Sequence, residues 1–156
     1  MTASRRRALV ALSTRELGAW RGFLRAHAAL EKALDHELIA AHGLPLRSYE
    51  VLLFLAEAPD GRMRMCDLAE SVLLSRSGVT RLADRLEAEG LLERVSCETD
   101  KRGLHAVITA EGRRRLTAAR ATHLAGVRER FLSRFSRTEL DELAGFWERV
   151  VPGASL

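Results

Sequence analysis

Between Ser75 and Leu86 the residue types sort into two sets with helical spacing. Ser77, Arg81 and Arg85 recur at i, i+4 and i+8, with Thr80 beside them, so a helix turning about 100° per residue puts them on one side. Val79, Leu82, Ala83 and Leu86 follow the i, i+3, i+4, i+7 rule of a buried face. Arginine offers a planar fork of donors, and serine and threonine a small adaptable one. Such a ridge suits phosphate oxygens and base edges. Ser75 stands where an N-cap oxygen is needed. Arg76 and Ser77 then flank the positive end of the helix dipole, where phosphate is stabilised. The same pattern also fits an ordinary amphipathic surface helix with solvated arginines, so the surrounding elements must decide.

Those elements can be read in order. Residues 1–12 form a basic arm, either a frayed terminus or an extra phosphate contact. Ser13-Thr14-Arg15-Glu16 is a capping box, opening a helix from Thr14 to His42 with Leu17, Trp20, Leu24, Leu34 and Leu38 on its apolar stripe. Gly43 and Pro45 end it. A helix this long exposes more apolar surface than one small core can cover, which predicts a partner subunit. A second helix spans Leu46 to Ala58, and Pro59-Asp60-Gly61 turns the chain. Arg62 to Met65 alternate as a short edge strand. Cys66 to Val72 form a short helix with Leu68, Ala69 and Val72 inward. Leu73-Leu74-Ser75 is a tight turn into the arginine-bearing helix, which Gly90 closes.

Short helix, tight turn and a second helix with outward donors make a helix-turn-helix. Leu91 to Ser96 and His105 to Ile108 read as two strands of a following hairpin, a wing. Its loop carries Asp100, Lys101 and Arg102. Lys101 and Arg102 can reach phosphates or a narrow minor groove. Asp100 serves either as a turn former or as an ion-pair partner that aims Arg102. Thr109 caps a long fifth helix through Leu116, Ala119, His123, Val127, Phe131 and Leu132. Ser136-Arg137-Thr138-Glu139 is a second capping box, opening a last helix with Leu140, Leu143, Phe146, Trp147 and Val150 on one side.

Composition narrows the function classes. The 156 residues are 47% hydrophobic and 29% charged, those of a globular chain with one domain plus a dimerising extension. The formal charge of +4 permits an acidic partner without requiring one. Aromatics at 5% argue against a stacking platform for single strands. Cys66 and Cys97 make no disulfide framework and indicate a reducing, cytoplasmic setting. No apolar run approaches the roughly 20 residues of a membrane span. Gly-rich phosphate loops, nucleophile elbows and HExxH patterns are absent, so an enzyme is not expected. The five histidines lack ligand spacing, so neither a metal nor a cofactor is expected. Net charge does not mark the interface, because from Ser75 to His105 six acidic residues cancel six basic ones. Asp84 lies near the arginine line, where it either orients an arginine or weakens phosphate binding.

The order of parts resembles the MarR family of bacterial transcription regulators. The resemblance is carried by Pro45-Leu46 through Leu55, Met65 to Glu70, Ser75 to Arg94, and the wing from Asp100-Lys101-Arg102 to Val107-Ile108-Thr109-Ala110-Glu111-Gly112. It implies a mainly α fold with a small β-wing, a winged helix-turn-helix dimerised through N- and C-terminal helices. The expected organisation is a basic arm (1–12), a dimerisation helix (13–44), a DNA-binding lobe (45–112) and C-terminal dimerisation helices (113–156). The resemblance also implies a pseudo-palindromic operator and control by a small molecule or oxidant.

The expected DNA contacts are Ser75, Arg76, Ser77, Thr80, Arg81 and Arg85 on the helix, and Asp100, Lys101 and Arg102 in the wing. Trp20, Phe23 and His27 either line an effector cleft or serve as interface or core residues. Cys97, beside the wing, is an alternative redox sensor, and Cys66 is expected to pack inside. A winged-helix module that binds protein through the same face is a further alternative.

Overall fold

The computed structural model describes residues 11–96 and 103–153. The chain divides into two units, Met1–Ala33 and Leu34–Leu156. Helix α1 (Thr14–His42) begins in the first of them. The predicted capping box forms at its start. The Ser13 hydroxyl accepts the Glu16 amide at 3.3 Å, and Glu16 Oε2 accepts the Ser13 amide at 2.7 Å. Hydrogen bonds from Ser13 also hold the Glu16 carboxyl below its ordinary pKa. Within this unit Trp20, Phe23 and Leu24 are exposed.

The second unit takes over at the last turns of α1. Gly43, at φ +61°, ends that helix. Helix α2 (Leu46–Glu57) starts after Pro45, which supplies no side-chain cap. Asp35 does so from a distance, its Oδ1 accepting the Leu46 amide at 2.8 Å. The carboxylate satisfies a free amide and sits at the positive end of the helix dipole. The turn Pro59–Gly61 places Asp60 at φ 56° and Gly61 at φ 68°. It leads into strand β1 (Arg62–Arg64), then α3 (Met65–Ser71), α4 (Arg76–Ala88), β2 (Leu92–Ser96) and β3 (Leu104–Ile108). The three strands form one antiparallel sheet in the order β1-β3-β2. Arg62 to Arg64 are an edge strand, as their alternation predicts.

One apolar core ties the lobe together. Leu52 and Leu55 of α2, Leu68 of α3, Val79 and Leu86 of α4, Leu92 of β2 and Ala106 of β3 are all buried. The four α4 positions expected on the inner face, Val79, Leu82, Ala83 and Leu86, are its buried residues. Helix α5 (Ala110–Arg130) docks on the lobe through its first turn. The Thr109 hydroxyl accepts the Gly112 amide at 3.0 Å and donates to the Gly90 carbonyl at 2.7 Å. Any Cβ on Gly112 would overlap the Leu91 carbonyl oxygen. The Thr-x-x-Gly spacing therefore encodes a cap and a close backbone approach in four residues.

Helix α5 stops at Arg130, short of the expected Phe131 and Leu132. Ser133 Oγ donates to the Glu129 carbonyl at 2.7 Å, so a side chain takes up an acceptor that a continuing helix would have used. Leu132–Arg134 form a 3₁₀ turn, and α6 (Arg137–Val150) opens on the second predicted capping box. No single helix among the described residues is long and apolar enough to cross a membrane.

Candidate nucleic-acid interface

Helix α4 presents its polar side outward. Ser75 is the N-cap, its Oγ accepting the Gly78 amide at 3.1 Å. Ser75 Oγ and Ser77 Oγ lie 3.2 Å apart, within reach for either hydroxyl to donate to the other. Thr80 Oγ1 donates to the Arg76 carbonyl at 2.8 Å. That bond spends its hydrogen and leaves its lone pairs outward, so in this rotamer Thr80 can only accept. Arg76, Arg81 and Arg85 are exposed and have no carboxylate partner among the described residues. Arg85 is the one of the three that is held: its Nη2 donates to Ser48 Oγ of α2 at 2.9 Å.

Two of the acidic residues that cancel the net charge, Asp84 and Glu87, are drawn elsewhere. Arg94 of β2 takes Asp84 at 2.7 Å and Glu87 at 2.6 Å. Its backbone amide also donates to Glu87 Oε1 at 3.0 Å. The Arg94 hydrogen bonds hold the Glu87 carboxyl below its usual pKa, and Glu87 raises that of Arg94. Asp84 thus orients an arginine, but one on the wing strand and not one on the α4 ridge. Both carboxylates are compensated beside the ridge, which keeps its own cations unpaired.

A cleft of about 500 Å³ opens next to the ridge, lined in part by Arg64, Cys66, Arg76, Thr80, Arg94 and Leu104. Arg64 is an exposed cation on the approach to α4 that sequence reading did not single out. Its only signal was its place in the alternating Arg62-Met63-Arg64 run. Cys66 corrects an expectation. It is exposed rather than packed inside, with Sγ donating to Asp67 Oδ1 at 3.3 Å. The reason is helical: α3 spends its inner face on Leu68 and Ala69, and Cys66 falls on the other side. Ser48 and Arg94 were also missed as contributors, because their partners lie in distant or following elements.

The wing residues Asp100, Lys101 and Arg102, together with Cys97, lie outside the described residues. Trp20, Phe23 and His27 form a row along α1 in the first unit, with ring centroids 6.1 and 6.3 Å apart. Among the described residues, no group of three or more His, Cys, Asp or Glu is arranged to hold a metal ion.

Comparison with known proteins places this arrangement. Residues 42–103 match the model described as MarR family. The chain is similar to Sco3205, a MarR family transcriptional regulator from Streptomyces coelicolor crystallised in complex with DNA. The identity is 33%, 92% of this chain and 91% of that one are covered, and the TM-score is 0.87. AbsC, a MarR family transcriptional regulator from the same organism, is also 33% identical, with 90% and 95% covered and a TM-score of 0.85. The HTH-type transcriptional repressor YetL of Bacillus subtilis (strain 168) is 29% identical over 90 residues. That match covers 56% of this chain and 54% of YetL, about half the length of the curated relatives it matches.

Proposed function

The chain belongs to the MarR family of transcriptional regulators, and on that premise we propose that it acts as a homodimeric, sequence-specific repressor on double-stranded DNA in the cytoplasm. Two copies of α4 enter successive major grooves, about one helical turn apart, on a pseudo-palindromic operator. Ser77, Thr80, Arg81 and Arg85 meet bases or phosphates, Ser75 and Arg76 a phosphate at the helix start. In the wing, Arg102 enters the minor groove, oriented by Asp100, and Lys101 meets phosphate.

The observation that carries this reading is the division of charge around α4. Asp84 and Glu87 are consumed by Arg94, while Arg76, Arg81 and Arg85 keep their charge on an exposed ridge. The dimer is supported by apolar faces that the single chain leaves uncovered, at Trp20, Phe23 and Leu24 of α1 and at Phe146 and Val150 of α6. A small-molecule effector acting near Trp20, Phe23 and His27 would release the operator by altering the spacing of the two α4 helices.

Selection of bound duplexes from random DNA tests the reading. The expected product is a symmetric site whose affinity falls steeply with salt. Arg81→Ala and Arg102→Ala should each weaken that site by about 1–3 kcal/mol if they make specific contacts. Failure to enrich any symmetric duplex, with no salt slope, would sink the reading. Unchanged affinity in Arg102→Ala at fixed low salt would remove the wing alone.

A further inference from the structure

The buried side chain of Ser48 in α2 bonds to a residue of α4. It is 1% exposed, and apart from Tyr49 no other buried polar or charged side chain occurs among the described residues. It sits in the first turn of α2, yet it caps nothing, since the Leu46 amide is taken by Asp35 and no side-chain cap bond forms at Pro45. Alanine is the better helix former and would hide no hydroxyl from water. The hydroxyl instead accepts Arg85 Nη2 of α4 at 2.9 Å.

We infer that Ser48 is a positioning residue for DNA recognition, fixing the Arg85 guanidinium toward the duplex without neutralising it. The inference rests on the reading of α4 as the DNA-facing helix. Arg94 stands in contrast, since two carboxylates hold it and offset its charge. A neutral hydroxyl restrains one donor of the fork and leaves four N–H groups and the full positive charge for phosphate or base. The restraint also removes side-chain freedom before binding, so less is lost on the DNA. Because Ser48 is buried in α2, the anchor is rigid.

A double-mutant cycle on the selected operator tests this. Ser48→Ala should weaken binding about three- to tenfold, the range of one net hydrogen bond. Its salt slope should stay unchanged, because no charge is lost. In an Arg85→Ala background the same substitution should change affinity less than twofold. Ser48→Thr, which keeps the hydroxyl, should restore most of the binding lost in Ser48→Ala. A loss of equal size with and without Arg85 would overturn the inference, as it would mark Ser48 as merely structural. So would an inert Arg85→Ala while Arg81→Ala still weakens binding, which leaves the DNA reading standing. If neither arginine matters, the reading of α4 itself falls.

Discussion

Helix α4 treats its apolar stripe in the opposite way to helices α1 and α6. In α4 the inner positions Val79, Ala83 and Leu86 are buried against α2, α3 and the strands. In the first half of α1, Trp20 is 54% exposed and Leu24 45%, although their spacing is equally regular. Helix α6 behaves like α1, with Phe146 46% and Val150 71% exposed and no buried residue. Helical spacing therefore tells which side of an element is apolar. It does not tell whether the covering surface comes from the same chain. The winged lobe covers itself. The stripes on α1 and α6 stay exposed.

The strongest way to break the closed side of this comparison is at Gly112. A methyl group there meets the Leu91 carbonyl oxygen and Ile108, so backbone rather than a flexible side chain must move. Gly112→Ala should lower the unfolding free energy by on the order of 3 kcal/mol, the range of a severe overpacking change. Urea denaturation checks this. A variant of wild-type stability would mean that α5 does not dock on Leu91 as described. Gly126 is a useful control. There the nearest atoms are side-chain ends of Glu37 and Leu34, which can turn aside, and the cost should be smaller.

The open side is tested at Trp20. Trp20→Asp should leave the lobe folded, since the indole is largely exposed in the single chain. It should weaken self-association by about 2 kcal/mol or more, as loss of an aromatic anchor does at an interface centre. Sedimentation or light scattering across a dilution series reads both species. A variant that stays dimeric at every concentration would remove the α1 stripe from the proposed interface.

How much of this was legible in the sequence follows the range of each interaction. The capping boxes at Ser13 and Ser136, the Thr109 cap, the Thr14 to His42 helix and the four inner positions of α4 all rest on neighbours within a turn or two, and all appear as expected. The bonds that shape the candidate interface reach further. Ser48 to Arg85 spans 37 positions, and Asp35 to Leu46 crosses from one helix to the next. Glu87 to Arg94 is close in sequence but depends on the direction in which β2 leaves Gly90. Residue type and spacing carry none of this. Cys66 shows a different lapse. Cysteine is often buried, but the short helix α3 had only one inner face to give.

The smallest effect sharpens the comparison within the closed lobe, at an aromatic contact between α2 and α5. The His123 ring lies 4.5 Å from that of Tyr49, and its Nδ1 is buried without a hydrogen-bond partner among the described residues. Burial holds the His123 pKa below its ordinary value, and burial likewise raises that of Tyr49. The unfolded chain therefore takes up a proton at a pH where the folded one resists it. The neutral ring's contribution is complete above the unfolded pKa of about 6.5 and is lost as pH falls from there through the lower folded value. Denaturation midpoints at pH 7.5 and pH 5 should differ more for the native chain than for His123→Phe, which keeps an aromatic ring beside Tyr49 and cannot titrate. Identical differences in the two proteins would show that water reaches His123 and that the lobe is less closed between α2 and α5 than elsewhere in its core.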